Sequence, residues 1–244
     1  MDASFRVAEV PASRGTAWLT DAFGLFRAAP MQWIALCAGW IAITFGLLMG
    51  FTVLRLPIAG GAIASLLQPV FFASFAITAY RQSAGETIVM GDLFSGFKHK
   101  VRSLVNLGAI LLLAQIGISV LMAVLGLPVA TSPDGTFTME EYVELLKGKE
   151  WILATGFLLT VAVKGALWFA PPLIAFHGMA TVQAMRWSLY ACVANVGAML
   201  VYGATLLAFF IAAILPWGLG LVVVIPLMAI STYIGYREVF EAKA

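Results

Sequence analysis

Apolar and polar positions alternate along this chain on the scale of whole segments. Residues 31–54, 58–80, 104–129, 151–176, 196–215 and 219–236 are six apolar runs, with polar stretches between them. Each run reaches the length, about 17–25 residues, at which a helix crosses the hydrocarbon core of a bilayer. Three polar stretches carry a second pattern. In 14–29, Trp18, Ala22, Phe26 and Ala29 recur every three to four residues, while Thr20, Asp21, Gly24 and Arg27 fall elsewhere on the wheel. Residues 91–104 repeat it, with Leu93, Phe94, Phe97, Val101 and Leu104 on one face. Beyond the turn at His177-Gly178, Val182, Met185, Leu189, Cys192, Val193 and Val196 form a third stripe. Such stripes predict amphipathic helices lying in the membrane surface. Ser13 stands where the first would be capped, and Pro30 separates it from the first span.

The two patterns combine into a unit, an amphipathic leader followed by a hairpin of two spans. It occurs over 14–81, 89–177 and 180–237 within one membrane domain, 1–244. The second span of each hairpin holds proline, at Pro69, Pro171-Pro172 and Pro226, and two of these spans end alike in Tyr80-Arg81 and Tyr236-Arg237. This self-similarity predicts an ancestral triplication. With an even number of spans per unit, the copies share one orientation, as parallel repeats about the membrane normal. Gly46 and Gly50 have the spacing that lets two membrane helices approach, and we read them as packing. Between the third and fourth runs, Pro133-Asp134-Gly135 predicts a turn, and Thr138 with Glu141 a capping box that opens a short surface helix at Met139.

Composition agrees with a lipid solvent. The 244 residues are 62% hydrophobic and 11% charged, where a soluble domain carries about a quarter charged. The net charge of +2 is too small to argue for nucleic acid. The placement of cations says more than their sum. Arg6, Arg14, Arg27, Arg81, Lys98, Lys100, Arg102, Arg186, Arg237 and Lys243 lie on the side of the termini, against Arg55, Lys147 and Lys149 opposite. The positive-inside rule then predicts both termini and the three amphipathic leaders in the cytoplasm, and the acidic 130–150 loop outside. The first thirty residues, with Asp2, Arg6, Glu9, Arg14, Asp21 and Arg27, are too polar for a cleavable signal peptide, so the first span is expected to be an uncleaved anchor.

Candidate chemistry is sparse. Lys164 is the single charged residue well inside a run, and all twelve acids lie outside the runs. Hydropathy puts it near mid-span. The repeat register, which matches it to Ala62 and Leu219, puts it near the outer end instead. Three roles are open: snorkelling to the outer interface, pairing with an interior polar group such as Gln68 or Gln115, or a substrate or proton site. Gln68, Gln115, Asn106 and Asn195 are expected to hydrogen-bond across helices. Arg27, Lys98, Lys100, Arg102 and Arg186 face the inner leaflet as topogenic charges that also suit anionic lipid, at about 1 kcal/mol each near the surface. Cys37 and Cys192 make no disulfide framework, and His99 and His177 belong to no metal-spaced cluster. No phosphate loop or nucleophile elbow is present, so neither an enzyme nor a cofactor is expected.

The segment ALWFAPPLIAFHGMATVQAMRWSLYACVANVGAML carries Trp168-Phe169-Ala170-Pro171 with Leu173, then Ala184, Ser188 and Asn195. With RGTAWLTDAFGLFRAAPMQW and GDLFSGF, it resembles a family of bacterial six-span inner-membrane proteins. It is distantly similar to the membrane domain attached to some glycerophosphodiester phosphodiesterases, which carries no catalysis itself. The resemblance implies topology and an inner-membrane location and brings no activity. The expected fold is an all-α integral membrane protein of six spans in three parallel hairpins, with lipid and a protein partner or second copy as partners. Two functions are carried forward. A non-enzymatic scaffold or accessory protein, slightly preferred, fits the few polar residues in the spans. A small transporter or channel fits the proline-broken even spans and Lys164.

Overall fold

The computed structural model describes residues 6–127, 144 and 146–241. Among them all regular structure is helical: α1 (Arg14–Ala28), α2 (Pro30–Val53), α3 (Pro57–Ser83), a 3-10 segment (Met90–Lys98), α4 (Val101–Val124), α5 (Glu150–Trp168), α6 (Ala170–His177), α7 (Thr181–Ala194), α8 (Val196–Ile214) and α9 (Leu221–Phe240). Six are long and apolar enough to cross a membrane: α2, α3, α4, the α5–α6 pair, α8 and α9. The expected turn at 133–135 and the helix from Met139 lie outside the described residues.

Proline marks the starts. Pro30 and Pro57 occupy the first turns of α2 and α3, where the missing N–H is not needed. Pro69 and Pro226 sit inside α3 and α9, which stay continuous, whereas the fourth span breaks at Phe169 before Pro171-Pro172. Gly178 ends α6 in the left-handed conformation, φ 62°, that relieves the last carbonyls of a helix.

Burial sorts the spans into two classes. In α3 and α9, 56% of the apolar window is buried, against 11% in α2. These two even-numbered spans therefore form the centre, and α2, α4, α5 and α8 surround them with lipid-facing surface. The α3–α4 contact is backbone-close: a Cβ on Gly108 would lie 2.6 Å from the Leu66 Cα, so only glycine fits there.

One end of the bundle collects both described termini, the ends of α3 and α9, the starts of α4 and α8, and the 177–181 turn; we call it the terminal face. Ala8 N–H donates to the Val239 carbonyl (2.8 Å). Asn195 accepts from Val10 N–H (2.7 Å) and donates to the Ala8 carbonyl (3.0 Å). Glu238 accepts from Arg14 Nε (2.7 Å) and Trp18 Nε1 (2.7 Å). The N-terminal leader is thus clasped to the last helix.

The three surface elements differ in detail from the periodic reading. The α1 stripe, expected to meet the membrane, is buried in the protein instead: Trp18 and Ala22 are inaccessible beneath the α8–α9 hairpin. Gly15 meets the Ala198 carbonyl so closely that a Cβ would lie 2.3 Å away, and the Thr16 and Thr205 hydroxyls are 3.3 Å apart. Residues 91–104 do not form one helix. The Asp92 carboxylate accepts from Val89 N–H (2.9 Å) and pairs with Arg81, Gly96 N–H donates to Ser74 Oγ (2.9 Å), and Lys100 turns left-handed (φ 46°) before α4. These bonds hold a tight 3-10 turn against α3, and glycines at 91 and 96 give an α-helix little to gain there. On α7 the buried face is Thr181, Ala184, Trp187, Ser188 and Ala191, while Val182, Leu189, Val193 and Val196 of the expected stripe are exposed. The small and polar residues seat the helix on α5, and the apolar stripe is left for lipid. Gly46 and Gly50 also point outward with no described atom near the Cβ position, so they pack against none of the described residues.

Candidate functional site: an intrabundle cavity

A cavity of about 300 Å³ lies among α2, α3, α4, α5, α6 and α9. Its walls include Trp40 from α2, Phe72 and Phe75 from α3, Leu107 and Leu111 from α4, Trp168 from α5 and Met228 from α9. Polar groups come from Gln68, Lys164 and Thr232. Pro69 and Pro171, from two different hairpins, also line it. The helices present these residues because each lies part-way along its span from the terminal face, so the cavity sits within the bundle and beneath that face.

Lys164 and Gln68, separated by nearly a hundred residues in sequence, are brought to one cavity. Lys164 is exposed at its rim, Gln68 is half-buried, and neither makes a hydrogen bond or ion pair to a described residue. Thr232 differs, since its hydroxyl donates to the Met228 carbonyl at 2.9 Å. Gln115 is not part of the site. It is exposed on α4, one turn beyond Leu111, and does not line the cavity. Lys164 therefore lines the same cavity as Gln68 and Pro69.

The break between α5 and α6 is held open by a side chain that spacing did not single out for this role. Ser188 of α7 donates to the Gly165 carbonyl (2.7 Å) and accepts from Phe169 N–H (2.9 Å), so a hydroxyl bridges the gap where a helical bond would run. Pro171 and Pro172 in turn bring no N–H to the carbonyls four residues back, at Leu167 and Trp168 beside the cavity. Below the Trp168–Tyr202 ring contact (5.7 Å), α5 packs on α4 and α7 and makes little contact with α9, although both line the cavity.

Around α6 an aromatic cluster joins the helix ends. Phe176 packs on Tyr80, Tyr233 and Tyr236, and the Tyr236 hydroxyl lies 2.7 Å from His177 Nε2 and donates to Glu241 (3.1 Å). Arg27, Lys98, Lys100, Arg102 and Arg186 are all exposed on elements of the terminal face, and none is ion-paired to a described residue. Among the described residues no cluster of histidine, cysteine and acids has metal-binding geometry.

Fold and cavity define a polytopic α-helical membrane protein. The chain is 28% identical over 226 residues to a probable inner membrane protein of Burkholderia thailandensis, covering 86% of this chain and 78% of that protein. That likeness, with six membrane-length helices, supports a bacterial inner-membrane protein family, and the chain is a multi-pass inner-membrane protein. No family model and no solved structure matches it.

Proposed function

We propose that this protein binds and moves a small molecule through the membrane, with its site in the intrabundle cavity. The observation that carries the reading is the meeting of Lys164 and Gln68, neither with a partner among the described residues, in a cavity flanked by two proline-bearing spans. Polar groups inside a bundle are costly and are normally paired with one another. Two that share a cavity and leave each other unpaired suit a ligand. In this reading the three hairpins are parallel repeats whose second spans supply the proline at Pro69, Pro171-Pro172 and Pro226, and both termini are cytoplasmic by the positive-inside rule. The chemistry is binding and passage, without catalysis or cofactor.

Sided thiol labelling tests it. In a Cys37→Ala, Cys192→Ala background, Gln68→Cys and Lys164→Cys are exposed to a small charged, membrane-impermeant reagent from each face. Labelling of both positions from the cytoplasmic side is the expected result. A Gln68→Cys protein that labels from neither side would mean a dry core and would sink the transport reading.

A second reading, the scaffold or accessory role, has its own observation. Gln115 on α4 and the Gly46–Gly50 pair on α2 face outward from the described residues, where an amide and small residues suit a neighbouring helix. Oxidative crosslinking of Gln115→Cys into a dimer in membranes is its expected outcome.

A further inference from the structure

We infer that the cavity selects an amphipathic monoanion, a single carboxylate or phosphate head on a short acyl or aromatic body. The inference rests on the transport reading and names its substrate class. Size decides the first point. About 300 Å³ is the liquid volume of roughly ten waters and lies at the small end of ligand pockets. A diacyl lipid does not fit, and one short body does. Wall chemistry decides the second. Phe72, Phe75, Leu107, Leu111, Ile225 and Met228 offer no hydrogen bond to a filling of water, Trp40 and Trp168 bring one indole N–H each on large apolar rings, and Thr232 is already bonded to Met228. An apolar body is the occupant such a surface favours.

Charge decides the third. Gln68 supplies an amide donor and Lys164 a cation, and neither has a described partner. An anionic head accepts from both at once, which makes the charge-assisted bond the stronger part of the site. A cationic head is repelled by Lys164, and a neutral alcohol uses Gln68 alone. Lys164 stands at the rim and the aromatic wall lies inside, so the head sits at the opening and the body points inward.

The test uses the full-length protein in nanodiscs of neutral lipid. Binding of decanoate, decanol, decyltrimethylammonium and 2-naphthoate is followed by tryptophan fluorescence, since Trp40 and Trp168 line the cavity. Decanoate should bind about tenfold more tightly than decanol, and decyltrimethylammonium weakest of all. Lys164→Gln should abolish the preference for decanoate while leaving decanol binding in place, so loss of the fold cannot imitate the result. A preference for decanoate over 2-naphthoate would identify an acyl ligand drawn from the bilayer, and the reverse an aromatic acid from water; both orders support the anion. Equal affinity for decanoate and decanol, or a preference that survives Lys164→Gln, would overturn it. If Gln68→Cys labels from the aqueous side and the anion preference is still missing, the substrate class fails and the transport reading stands. If Gln68→Cys does not label and no probe binds, both fail.

Discussion

A single hydroxyl sets the geometry beside the cavity. Ser188 takes the place of the helical bond between Phe169 N–H and the Gly165 carbonyl. Ser188→Ala leaves both groups buried without that bridge and should cost about 1–3 kcal/mol. That corresponds to a thermal midpoint lower by some 2–4 °C per kcal/mol, read by unfolding in detergent. Cys192 lies on the same contact, its thiol 3.5 Å from the Gly165 carbonyl, and burial pushes that thiol up to about 12. Because the shift is upward, the reactive thiolate is scarce at pH 8 and grows only as pH climbs toward that value. In a Cys37→Ala protein, iodoacetamide at pH 8 should therefore modify Cys192 about a thousandfold more slowly than an ordinary thiol. Ordinary reactivity by mass spectrometry would show that α7 is not seated on α5. Sequence picked out Lys164 and Gln68 because polarity in an apolar run needs no partner to be noticed. It could not show that Ser188 bridges a helix break, or that Glu238 receives Arg14 and Trp18, because those roles depend on residues 19 to 224 positions away.

At the scale of elements, apolar length predicted the spans closely, since desolvation of a whole helix depends on its own composition. Faces were less legible. Period alone assigned α7 an apolar stripe for the membrane surface and said nothing of the face that meets the protein. In lipid, apolar residues are at ease outside, and small or hydroxyl residues mark helix contacts. Thr181, Ala184, Ser188 and Ala191 form that contact face here. For α1 the periodic residues are the buried ones, but protein rather than the membrane surface covers them. Its docking on α8 can be checked with Thr16→Cys and Thr205→Cys in a Cys37→Ala, Cys192→Ala background, whose side chains replace hydroxyls 3.3 Å apart. Mild oxidant should crosslink this pair, and a Gly15→Leu change, which drives a side chain into the Ala198 carbonyl, should suppress the crosslink.

For the whole molecule, charge placement predicts that tags on either terminus are cleaved by protease only from the cytoplasmic side of inverted and right-side-out vesicles. The clasp between Arg14, Trp18 and Glu238 joins residues 224 positions apart in the chain. At the usual pace of synthesis, about 5–20 residues per second, the helix made first waits roughly ten to forty-five seconds for the one it must dock on. Through that interval the Trp18 and Phe26 face has only membrane to cover it, so the headgroup layer serves as its waiting place. A ribosome-bound intermediate lacking the last helix should expose α1 to protease, and release of the finished chain should hide it. The α1 face of the bundle thus closes only once α9 has been made.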